Sequence, residues 1–100
     1  MIKAIADVCV VPIGVGVSVS KYVVVCEEIF RDAGLAPRLH AYGTNVEGDW
    51  DAVTQAVRQC HERIHEMGAP RISTTIRCGT RTDREQSFEN KIRSVEEKLR

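Results

Sequence analysis

Aromatic residues are scarce in this chain: two Phe, two Tyr and one Trp in 100 residues. That argues against the rings on which single-stranded RNA or DNA stacks its bases. Net charge is absent too. Lys plus Arg number 14 and Asp plus Glu number 14, so nothing draws the chain toward nucleic acid or anionic lipid. No CxxC pair occurs; Cys9, Cys26, Cys60 and Cys78 lie on separate elements among apolar neighbours. They read as reduced core side chains of a cytoplasmic protein rather than a metal or disulfide framework. No apolar run is long enough for a membrane span. The apolar N-terminal stretch "AIADVCVVPIGVGV" is broken by Asp7 and Pro12, which makes it a buried strand entering a turn rather than a leader. Repeats and low-complexity linkers are missing as well, so residues 1–100 read as a single domain with a modest core.

What is present is a clear alternation of periods. "KAIADVCVVPI" (3–13) is β-rich and reads as the first, central strand. "GVGVSVS" (14–20) is a loop in which Ser18 or Ser20 is expected to cap a helix. Tyr22, Val25, Cys26, Ile29 and Phe30 follow helical spacing over 21–33, and Gly34 and Pro37 stop that helix. "RLHAYG" (38–43) and "TNVEG" (44–48) read as a hairpin with its bend at Gly43. Asp49 is placed to cap a second helix whose stripe is Trp50, Val53, Val57, Cys60, Ile64 and Met67, ended by Gly68 and Pro70. "RISTTIRCG" (71–79) alternates cleanly, with Ile72, Thr74, Ile76 and Cys78 on one face. "TDRE" (82–85) has the form of a capping box before a last helix carrying Phe88, Ile92, Val95 and Leu99.

The order βαββαβ followed by α predicts an α+β, ferredoxin-like sandwich: a four-stranded antiparallel sheet with two helices on one face and an extra C-terminal helix. The first strand is apolar on both faces. The second face of the sheet, or an edge, is therefore expected to be buried in a homo-oligomer, a dimer or tetramer.

Four patterns could carry chemistry. "HERIH" (61–65) has the HExxH form in which two histidines hold zinc. His40 is the only other histidine, and the core stripe runs through Cys60 and Ile64, which leaves His61 and His65 on the helix flank. The expectation is no metal site. "GVG" (14–16) lacks the third glycine of a dinucleotide loop, since Val19 stands there. Arg77, Arg81 and Arg84 gather at the end of the last strand, where an anion could be held or the turn simply paired with Asp83 and Glu85. A fourth set is Thr44, Glu47, Ser73 and Thr75. Hydroxyls with one carboxylate suit an amino-heterocycle.

The segments "ADVCVVPIG" (6–14), "GTNVEGDWDAV" (43–53), "TTIRCGTRTD" (74–83) and "ENKI" (89–92) resemble the small thiamine-binding-protein family, across essentially the whole chain. The resemblance implies a ferredoxin-like fold and a homo-oligomer built through its sheets, often a tetramer. It also implies a non-catalytic site, without cofactor, for thiamine or its pyrimidine moiety. A GT-x-x-EG motif falls on Gly43, Thr44, Glu47 and Gly48, and a Pro-Ile-Gly turn on Pro12, Ile13 and Gly14, with Ser18 or Ser20 after it. The expected ligand contacts are therefore Gly43, Thr44, Glu47, Ser18, Ser20 and Thr75, with Glu47 foremost because neither bend nor cap requires it. Arg77 and Arg81 depart from the family pattern. A cationic thiazolium beside them is disfavoured, so they favour a phosphorylated ligand, another anion, or a site elsewhere. The rival expectations are a structural or regulatory oligomer without a small ligand, and a zinc enzyme through His61 and His65.

Overall fold

The computed structural model describes residues 2–99. Its elements are β1 (Lys3–Ile13), α1 (Ser20–Asp32), β2 (Arg38–His40), β3 (Gly43–Asp49), α2 (Trp50–Glu66), β4 (Arg71–Thr80) and α3 (Phe88–Lys98). The four strands form one sheet in the order β2-β3-β1-β4, with every pair antiparallel. This is the ferredoxin-like arrangement that the element order predicts.

Register decides which residues meet which layer, because side chains alternate along a strand. Ala6 pairs with Val46 on one side and Cys78 on the other, and Val8 with Thr44 and Ile76. That face receives α1 and α2. The core lies there, with Phe30, Leu35, Val46, Val53, Cys60 and Ile64 all fully buried. Each such apolar side chain contributes roughly 1.5–3 kcal/mol. The opposite face carries Ile5, Asp7, Cys9, Val11 and Ile13, with Glu47, Asn45, Arg77 and Thr75 beside them. α3 reaches this second face only at its start. Phe88 is buried, and Arg38 on β2 pairs with Glu89. Ile92, Val95 and Leu99 remain exposed, as do Val11 and Ile13.

Several local expectations are corrected. The hairpin bends at Ala41 and Tyr42, not at Gly43, so the second strand is Arg38–His40 and not 38–43. Gly43 and Gly48 lie inside β3 for another reason. A Cβ on Gly43 would stand 2.8 Å from the Val8 carbonyl oxygen, and one on Gly48 would stand 2.7 Å from Leu35 Cδ2. Both glycines admit a close neighbour. α1 is not capped by Ser18 or Ser20: Val19 holds the N-cap position and no side chain caps it. Asp49 holds the N-cap position of α2 but its side chain makes no capping bond. The TDRE box does not start α3. Ser87 caps it instead, accepting from the Asn90 N–H at 3.1 Å. The cap moved because residues 81–87 form a separate turn in which Arg81 grips Asp83.

The cysteines also divide. Cys26 on α1 and Cys60 on α2 are buried in the core, Cys9 is half-buried, and Cys78 is exposed on the edge strand, contrary to a core role for all four. The hydrogen bond between the Cys26 and Cys60 thiols lowers the pKa of Cys26 and, with desolvation, raises that of Cys60.

Candidate functional site

β1 is longer than the strand beside it. Its pairing with β3 ends at Val8–Thr44, whereas its pairing with β4 continues to Ile13–Arg71. From Cys9 to Ile13 the β1 backbone therefore has a strand partner on one side only. The gap is not filled. It is the floor of a cavity of about 260 Å³, roofed by Val19, Val23 and Phe30 of α1 and its approach, and closed at the end by the β2–β3 hairpin. The lining is mostly apolar, which suits a small planar molecule with few polar groups.

Polar groups converge at one end. Thr44 is 4% exposed, the only buried residue of polar type among those described, and its hydroxyl donates to Glu27 Oε2 at 2.8 Å. Burying a hydroxyl without a partner is costly, so this bond explains why a Thr is tolerated in the core layer. At the other rim stands Tyr42, whose side chain is exposed. Its backbone N–H donates to His40 Nδ1 at 3.2 Å. An accepting Nδ1 assigns the ring proton to Nε2, which donates to Asp7 Oδ1 at 2.7 Å. Asp7 thus fixes His40, and His40 fixes the hairpin tip.

The expected contact residues do not converge on one place. Gly43 and Thr44 line the cavity. Thr44 and Glu47 are three residues apart on one strand, so their side chains leave the sheet on opposite faces. Glu47 lies with Ile5 on the second face, where its Oε2 accepts from the Phe88 N–H at 3.1 Å. Thr75 is also on that second face, opposite Cys9, and is exposed. Ser18 and Ser20 are exposed at the start of α1. Arg77 faces Asp7 across the sheet, while Arg81 lines a different cavity near the end of β4. Sequence reasoning missed Glu27, Asp7 and Tyr42. Asp7 carried a signal, being an acid in the middle of an apolar strand; Glu27 and Tyr42 carried none.

The HERIH histidines are spent locally. His61 Nε2 bonds Thr74 Oγ1 at 2.6 Å, and His65 Nδ1 bonds the Ala69 carbonyl at 2.8 Å. The ring centroids are 6.3 Å apart. Among the described residues, no group of three His, Cys, Asp or Glu side chains is placed to hold a metal. No helix among the described residues is long and apolar enough to cross a membrane.

Comparison with known proteins places this chain and its fold in a family. The family model for thiamine-binding proteins matches residues 6–96. A UPF0045 protein of Synechocystis sp. is 56% identical over 94 residues, covering 94% of this chain and 78% of its own. A second UPF0045 protein, from Eremothecium gossypii, is 42% identical over 99 residues, covering 98% and 94% of the two chains. The crystal structure of a hypothetical protein from Methanocaldococcus jannaschii superposes with a TM-score of 0.89 at 33% identity, covering 97% of this chain and 99% of the other. The fold recurs, at 16% identity and a TM-score of 0.77, in a Thermotoga maritima protein assigned provisionally to thiamine biosynthesis or salvage, over 93% of this chain and 98% of that one. The chain belongs to the thiamine-binding protein family.

Proposed function

We propose that this protein binds thiamine or its aminopyrimidine half, without catalysis, in the cavity between α1, the free edge of β1 and the β2–β3 hairpin. One observation carries the reading: an apolar slot lined at one end by the buried Thr44, whose hydroxyl is held by the half-buried Glu27 carboxylate beside it. The heterocycle's methyl-bearing body would lie among Val10, Val23 and Phe30. Its exocyclic amine would donate to the Glu27 carboxylate or the Thr44 hydroxyl, charge-assisted in the first case. Tyr42, 86% exposed, could close over a cationic thiazolium by a cation–π contact. The family name and the provisional thiamine role of the Thermotoga relative support this reading. In it the protein is a cytoplasmic homo-oligomer of one-domain subunits, and needs no cofactor, metal or nucleic acid.

Calorimetric titration with thiamine and with its pyrimidine tests it. Thr44→Val keeps the shape and removes the hydroxyl, which leaves Glu27 without its partner. Affinity should then fall about tenfold, the equivalent of roughly 1.4 kcal/mol. Absence of binding by the native protein at millimolar thiamine, or equal affinity in the variant, rejects the reading.

A second reading, an oligomer with no small ligand, is favoured by the exposed apolar side of α3. Assembly without any thiamine response would select it.

A further inference from the structure

A second cavity, of about 280 Å³, lies on the other face of the sheet, between the start of β1, the end of β4 and the 81–86 turn. Four cations line it: Lys3, Arg81, Arg84 and Lys91. Against them stands one lining carboxylate, Glu85. Nearby, Glu47 is committed to the Phe88 N–H, and Asp49 pairs with Lys3 only through strand register. Arg81 is spent on Asp83 and Gln86, at 2.6 and 2.9 Å. Lys3, Arg84 and Lys91 make no side-chain hydrogen bond or ion pair among the described residues. A chain with no net charge thus concentrates cations around one hollow, and a bound anion would offset their repulsion.

The floor is as informative as the walls. Ile5 and Gly79 face each other across β1 and β4, and both line the cavity. A Cβ built on Gly79 meets no atom within 4 Å. The glycine is required by no protein neighbour and leaves the space above it open. An apolar floor under a basic wall suits an anion attached to a small organic body better than a bare ion.

We propose that this cavity binds the phosphoryl group of a small organic phosphate, with Arg84 and Lys91 as its principal donors and Arg81, oriented by Asp83, at its rim. A phosphate monoester carries about 1.5 to 2 negative charges at neutral pH, and Arg presents a fork that matches its oxygens. This site is separate from the thiamine cavity and does not rest on that reading. Ile5 and Val10 are five residues apart, about 17 Å of strand, and face opposite sides of the sheet.

The test is calorimetric titration of the native protein with phenyl phosphate and with inorganic phosphate, in a phosphate-free buffer at constant ionic strength. Saturable binding of phenyl phosphate is expected, tighter than that of inorganic phosphate. Equal affinity for both would overturn the organic body's part in the proposal and leave only a site for the free ion. Replacing Arg84 and Lys91 by Gln together should weaken binding by about tenfold or more, as the loss of two charge-assisted contacts implies. Gly79→Val retains every charge and fills only the hollow, so it should weaken phenyl phosphate while the unliganded melting temperature holds. Thiamine affinity should be unchanged in both variants. No saturable binding at millimolar phenyl phosphate, or equal affinity in native protein and both variants, overturns the proposal.

Discussion

The carboxylate of Glu47 accepts a hydrogen bond from the backbone N–H of Phe88, 41 residues away, at 3.1 Å. Phe88 is the first residue of α3, where N–H groups lack helical partners and the helix end is positive. Glu47 therefore supplements Ser87 as a cap delivered from the sheet. Glu47→Ala should loosen α3 and cost roughly 1 kcal/mol, the usual range for a lost cap. Glu47→Gln, which keeps an acceptor, should cost less. Amide exchange across 88–98 reports this directly. Unchanged protection in the Ala variant would mean that Phe88 and the Arg38–Glu89 pair alone hold the helix.

The pH response of the 81–86 turn follows from Asp83. Its hydrogen bond with Arg81 lowers its pKa to about 2. A depressed carboxylate pKa contributes order that is present above the unfolded value near 3.8 and lost as pH falls through about 2. The turn should therefore keep its arrangement at pH 5 and lose it only in strong acid. A carboxyl titration by NMR that placed the Asp83 midpoint near its ordinary value would contradict the contact. Because Asp83 is exposed, the global melting temperature is a poor reporter of this change.

Long-range architecture was legible because it is written in periods. The three-and-four spacing of Val53, Val57, Cys60 and Ile64 specifies the one buried face of α2, and the two-residue alternation of 71–79 specifies a strand, which as the edge strand β4 leaves Ile76 and Cys78 exposed. Local chemistry was less legible. Thr82 and Glu85 satisfy a capping box on paper, yet Ser87 wins because Phe88 is buried against the second face of the sheet and Glu47 meets its N–H. Thr44 and Glu47 looked like one site because they are close in sequence; parity along β3 sends them to opposite faces. The Thr44–Glu27 and His40–Asp7 pairs join different elements, at separations of 17 and 33 residues, which no local spacing encodes.

His61 and His65 should separate on mutation. His65 bonds the Ala69 carbonyl just beyond α2, where Ala69 and Gly68 N–H groups close the helix on Ile64 and His65. His61 bonds Thr74, tying α2 to β4. Each bond to a neutral partner is worth roughly 0.5–1.5 kcal/mol net. Single Gln replacements should each lower the melting point modestly, and the double replacement should depart from the sum of the two, since the rings stand 6.3 Å apart in edge contact. Neither variant should alter metal content. One zinc per chain in the native protein, lost in either variant, would reverse the assignment.

Assembly is the prediction with most at stake, because so much apolar surface is left in water. The side of α3 carrying Ile92, Val95 and Leu99 is uncovered, with Leu99 78% exposed. Val11 and Ile13 lie open on the same side of the sheet, and β4 is an edge strand ten residues long with Ile76 exposed. A long edge strand and several exposed apolar side chains invite pairing unless a partner covers them. A second copy offers the same surfaces and would close them by symmetry, in an interface on the order of 1,200–2,000 Å². Sedimentation at micromolar concentration should show a dimer or tetramer. Val95→Glu places a charge in the stripe without touching the core, so it should shift the protein toward smaller species while leaving each subunit folded by circular dichroism. A native protein that sediments as a monomer rejects the assembly outright. An oligomer indifferent to Val95→Glu would move the interface off α3 and onto the β4 edge, where Ile76→Lys becomes the deciding variant.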